Sequence, residues 1–85
     1  MAIASPSPTP NPDAMKFDLD ATLTEGFNIT SAEAAVGNPF AEMVFATDGV
    51  ISVFGVNDFV TVSRRPGTDW EPIVAAVRVA AEQHL

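Results

Sequence analysis

The sequence predicts an α+β domain of order ββαββα: a four-stranded, mainly antiparallel sheet with two helices on one face. Three observations carry the prediction. Four short runs alternate apolar and polar residues, two segments repeat apolar residues at helical spacing, and turn-forming residues separate them. A chain of 85 residues makes one such domain and not two.

Taken in order, residues 5–12 read Ser-Pro-Ser-Pro-Thr-Pro-Asn-Pro. Proline at every second position removes amide donors and holds the preceding residues extended, so residues 1–12 are expected to be a flexible Pro-rich leader ahead of a domain spanning 13–85. A ligand for a proline-recognition module is the other reading, but it lacks the basic flanks such ligands use. Met15, Phe17 and Leu19 then alternate with Lys16 and Asp18, and Phe27 and Ile29 alternate with Asn28 and Thr30. Each run has the period of a strand with one buried face. The turn chemistry of residues 20–26 between them predicts an antiparallel hairpin.

Ser31 offers an N-cap to the helix-forming Ala32-Glu33-Ala34-Ala35-Val36, and Gly37-Asn38-Pro39 interrupts it. Asn38 can cap again with Pro39 in the favoured first position, after which Phe40, Met43 and Val44 share one helical face. A kinked helix or two abutting ones, ending near Ala46, is expected. Residues 50–55 and 59–63 are rich in β-branched and aromatic side chains, and Asn57-Asp58 can take the positive φ angles of a two-residue hairpin turn. That turn sets the register. It places Val53 opposite Val62 on the core side, with Ile51 and Val60. Phe54 then lies opposite Thr61 on the other side, with Ser52, Phe59 and Ser63. The last helix opens at Thr68-Asp69-Trp70-Glu71, and Pro72 favours Asp69 over Thr68 as its cap. Trp70, Ile73, Val74, Val77, Ala80 and Ala81 form its apolar stripe.

Composition excludes several classes of function. The chain has no cysteine, which removes disulfides, thiolate zinc and iron–sulfur ligands, and cysteine nucleophiles. Four Lys and Arg against 11 Asp and Glu give a net charge of −7, which does not suit nucleic acid or an anionic membrane as a partner. No run approaches the roughly 18 apolar residues of a membrane span, and the start shows neither a basic nor an apolar targeting region. A cytoplasmic setting is expected. For the same reason the sequon letters Asn28-Ile29-Thr30 are set aside.

Side chains able to do chemistry are few. Asp18 and Asp20 share one side of a strand, a spacing that suits a hard cation or, more simply, a solvated strand end. His84, the single histidine, stands at the expected end of the last helix with no second ligand or nucleophile to pair with it. Arg64 and Arg65 offer either an acidic-partner or phosphate contact, or a charged strand exit that discourages edge pairing. No catalytic, cofactor-binding or metal-ligating residue is assigned, and no small-molecule substrate is inferred. The candidate site is a partner-binding one made by Phe54, Asn57, Asp58 and Phe59, where an aromatic on each flank of a tight turn projects onto the polar sheet face. Cover by a protein partner, by the prolyl leader or by a dimer mate all fit that pair.

Four motifs in order carry a family resemblance: Asn-Pro-Asp-Ala-Met-Lys-Phe at 11–17, Phe-Asn-Ile-Thr-Ser-Ala-Glu-Ala-Ala at 27–35, Asn-Pro-Phe-Ala-Glu at 38–42 and Gly-Val-Asn-Asp-Phe-Val-Thr-Val at 55–62. With Asp69-Trp70 they resemble the N-terminal domain of Nfu-type (NifU-like) iron–sulfur scaffold proteins. The resemblance implies an α+β domain that in those scaffolds precedes a C-terminal domain with a cluster-binding Cys-x-x-Cys pair. The expectation here is the N-terminal module standing alone, without that pair. It would be a non-catalytic accessory or interaction module of cluster assembly or delivery, which binds no cofactor directly and acts alongside cluster carriers. Its implied partners are iron–sulfur biogenesis or recipient proteins. The alternative is a generic interaction or self-associating domain with no cluster role.

Overall fold

Alternating apolar side chains require a layer to cover them, and the chain supplies it with two helices. The structure, a computed structural model, describes residues 2–85. The elements in order are β1 (Ala4–Pro8), β2 (Ala14–Leu19), β3 (Phe27–Ile29), α1 (Pro39–Phe45), β4 (Val50–Val56), β5 (Phe59–Arg64) and α2 (Trp70–His84). The strands form one antiparallel sheet of order β1-β2-β5-β4-β3. Phe17, Val53, Val60 and Val62 point from one sheet face into a core shared with Phe40 and Val44 of α1 and Ile73 and Val77 of α2. Both helices therefore cover the same face, as expected.

The sheet has five strands where four were expected, because the proline-rich segment is itself a strand. Ala4 pairs with Leu19, Pro6 with Phe17 and Pro8 with Met15, while Ser5 and Ser7 face Asp18 and Lys16. Alternating prolines hold a chain extended and leave the serine amides, on alternate residues, free to bond to one neighbour. Such a segment pairs on one side only, which is the position of an edge strand. Ala2 and Ala4 are buried with Ala80 and Ala81, small residues that let the end of α2 approach β1 closely. Thr9 ties the β1–β2 connection, its hydroxyl donating to the carbonyls of Asn11 and Ala14. Met1, part of the expected leader, lies outside the described residues.

The runs at 15–19 and 27–29 do not pair with each other, contrary to the expected hairpin. β2 lies between β1 and β5, and β3 lies beyond β4 on the other side. Their connection crosses the tip of the β4–β5 hairpin, where the Leu19 amide donates to the Asp58 carbonyl at 2.8 Å and the Leu23 amide to the Asn57 carbonyl at 2.6 Å. A long connection fixes no register, so the apolar faces of β5 and β4 choose the partners of β2 and β3.

Residues 32–37 form turns rather than the first half of a kinked helix. The Ser31 hydroxyl accepts from the Ala34 amide at 3.1 Å, as a cap would, but Gly37 at φ 93° ends the segment. One turn of good helix formers is too short to stand without burial. Asn38 does cap α1: its Oδ1 accepts from the Ala41 amide at 3.1 Å, with Pro39 behind it. Asp69 is the N-cap residue of α2, whose buried side chains are Ile73, Val77, Ala80 and Ala81.

Candidate protein-interaction site

The hairpin that carries the site follows from its turn. Val56 and Phe59 are cross-strand partners, which leaves Asn57-Asp58 as a two-residue loop, and Val53–Val62 and Phe54–Thr61 pair as the sequence register requires. Asn57 takes the left-handed conformation at φ 55°, the one non-glycine residue to do so among those described. Asp58 does not share it. The expected core position of Ile51 is also wrong: the ladder slips between Val50 and Ser52, and Ile51 stands 46% exposed as the extra residue of a bulge.

Among the described residues no helix covers the second face of the sheet. Phe54 and Phe59 lie there with ring centroids 6.4 Å apart and planes tilted by 56°, an arrangement favoured by the aromatic quadrupole. Phe54 remains 40% exposed. Lys16 reaches across from β2 and holds its ammonium 4.8 Å from the Phe59 ring centroid and 3.4 Å from Asp18 Oδ1. Val56, Thr61, Ser52 and Ser63 complete the surroundings on β4 and β5. The hydroxyls keep most of this face polar, so the aromatic pair is its distinct apolar feature.

Thus the structure brings the four candidate residues together at one end of the hairpin, in two different roles. Phe54 and Phe59 present side chains. Asn57 and Asp58 have exposed side chains, while their carbonyls carry the crossing connection from β2. Sequence reasoning missed that second role, for which the turn itself holds no signal. It also missed Val56, although a two-residue turn already implies that Val56 and Phe59 are partners.

The other polar candidates are placed apart. Asp20 Oδ1 accepts from the Ile3 amide at 2.7 Å, which ties β2 to the start of β1. Arg64 works inside the fold: its Nε lies 3.3 Å from Asp13, an Nη donates to the Thr68 carbonyl and its guanidinium stacks 4.9 Å from the Trp70 ring centroid. It is neither a free phosphate ligand nor an edge guard. Arg65 lies 3.5 Å from Asp48 on the surface. His84 borders a cleft of about 440 Å³ under the β2–β3 connection, with Leu19, Leu23 and Phe27 on its apolar side and Asn38 beside them. No group of three or more His, Cys, Asp or Glu among the described residues is placed to hold a metal ion.

Comparison with known proteins decides the family. The model for the N-terminal domain of the scaffold protein Nfu/NifU matches residues 4–85, from the first residue of β1 onward. The chain belongs to the Nfu/NifU N-terminal domain family. Among curated relatives of this Nfu/NifU-type domain, conserved virulence factor C of Staphylococcus aureus is 32% identical over 81 residues, covering 94% of this chain and 22% of that protein. A NifU-like protein of Schizosaccharomyces pombe is 33% identical over 81 residues, covering 91% of this chain and 31% of that protein. The Nfu/NifU-type chain thus spans less than a third of either relative's length. The crystal structure of Staphylococcus aureus protein SAV1430 superposes with a TM-score of 0.76 at 27% identity, covering 94% of this chain and 98% of that one. A NifU-like protein from Saccharomyces cerevisiae has the same fold, with a TM-score of 0.79 at 20% identity over 98% of this chain and 77% of that one.

Proposed function

We propose that this Nfu/NifU N-terminal domain is a non-catalytic accessory or interaction module in iron–sulfur cluster assembly or delivery. It docks on biogenesis or recipient proteins through Phe54, Phe59 and the adjoining Asn57-Asp58 turn. The observation that carries the reading is an aromatic pair, Phe54 exposed and Phe59 half-buried, near the β4–β5 tip on a sheet face that neither α1 nor α2 covers, since aromatic residues are prominent among those that dominate interface energetics. Family membership supports the cluster context. The cysteine-free sequence supports a role beside the cluster rather than around it, and suits a cytoplasmic setting. No cofactor is bound directly.

The test is an amide NMR titration of the labelled domain with a separately produced Nfu-type C-terminal domain, apo and cluster-loaded. Saturable shifts on residues 52–61 are expected, and they vanish in a folded Phe54→Ser, Phe59→Ser variant. Unchanged affinity in that variant would remove the site assignment. No shift with any cluster-handling protein would leave the chain a generic interaction or self-associating domain.

A further inference from the structure

The sheet's edges and its open face narrow the class of partner, an inference that rests on the interaction-module reading above. A partner strand would have to extend one of the two edges. At β1, Pro6 and Pro8 have no amide hydrogen, so the Ser5 and Ser7 amides must serve β2 and the outward side offers an incoming strand almost no donor. At the other edge β3 is three residues long, between Gly26 and the turns of residues 31–37. Short and proline-blocked edges resist strand addition. What remains is the face.

That face offers an apolar strip to a helix. Val56 and Phe59 are cross-strand partners, and Phe54 lies two residues along β4 on the same side. The opposite face already packs against α1 and α2, so a helix on this one completes a third layer of a common architecture. Charge selects the helix. Lys16 is the one cation among the strand residues described on this face, and Asp18 and the Phe59 ring already engage it. Asp58 stands exposed at the hairpin tip, next to Phe59 in the chain, and the chain as a whole carries a net charge of −7. The same charge opposes stacking two copies of the chain face to face.

We infer that the open face takes a basic amphipathic helix of a protein partner, its apolar stripe on Phe54, Val56 and Phe59 and its cationic flank toward Asp18 and Asp58. A helix of roughly 18 residues at about 1.5 Å per residue spans the 27 Å middle dimension of the molecule.

Two synthetic helical peptides of that length test this. They share one Leu/Ala stripe and carry Lys on the polar flank in one case and Glu in the other. Titrated into the labelled full chain, the Lys peptide gives saturable shifts confined to the open face, and its affinity falls about tenfold or more between ~0.05 M and ~0.5 M salt. The Glu peptide binds about tenfold more weakly or worse. A variant with Asp18→Asn and Asp58→Asn holds or raises its thermal midpoint and loses several-fold in Lys-peptide affinity. Equal binding of the two peptides, no saturable shift, shifts centred on α2 or the His84 cleft, or a face-covering dimer in sedimentation equilibrium would each overturn the inference. If a cluster-handling domain binds this face and the Lys peptide does not, the helix class fails and the module stands. If the Lys peptide binds and no cluster-handling protein does, the cluster role fails and the partner class stands.

Discussion

Gly55 sits where a side chain cannot. A Cβ there would lie 2.6 Å from Cζ of Phe27 and 2.9 Å from both of its Cε atoms, so the ring of Phe27 rests directly on the β4 backbone. From that position it meets Phe40 at 6.1 Å between centroids and joins β3 to α1. Gly55→Ala must displace the ring, and an overpacking loss of about 1–3 kcal/mol is expected in urea unfolding. No loss would mean that the ring moves aside at no cost. Arg64 makes a related point about what a single residue reveals. Its sequence context, a strand exit followed by Arg65-Pro66-Gly67, suggests a free cation. Thr68 and Trp70 engage it from the chain just downstream, whereas Asp13, 51 residues away, is a partner that only the fold supplies.

Among the elements, β1 shows how composition conceals structure. Alternating prolines make a segment look like a solvated leader, yet the same alternation leaves it one bonding side and makes it a self-terminating edge. Replacing Pro6 and Pro8 with Thr restores two outward amides, and the variant is expected to self-associate with rising concentration in sedimentation velocity while the parent stays monomeric. A monomeric variant would show that the prolines do not guard the edge. The β4–β5 hairpin and α2 were legible because their signals are local: a two-residue turn fixes register, and a stripe of apolar residues fixes a helix face. The partners of β2 and β3 were not legible, since the connection between them constrains nothing and distant strands decide the pairing. Residues 32–37 look helical by propensity alone, but of the segment's side chains only Ala35 is buried, so tertiary packing supplies little to hold a helix there. The candidate site divides the same way. Phe54 and Phe59 could be assigned to the open face from the hairpin register, whereas the carbonyl anchors at Asn57 and Asp58 depend on the crossing connection.

At the scale of the molecule, charge is the unbalanced quantity. The net −7 is offset by few contacts: Lys16–Asp18 and Arg65–Asp48 are largely exposed pairs, which contribute about 0–1 kcal/mol each. Self-repulsion should therefore outweigh them, and raising salt from ~0.05 M to ~0.5 M is expected to lift the thermal midpoint by roughly 2–5 °C. A falling midpoint would show that the ion pairs dominate instead. The contact between Ala2 and the end of α2 has a different consequence. The Ala2 amide donates to the Ala81 carbonyl at 3.1 Å, and Ala2 and Leu85 border the same cleft, so the first and last described residues meet at one corner. A domain whose entry and exit adjoin can be spliced into a surface loop of another protein without prying that loop apart, or closed into a ring by a short peptide bridge.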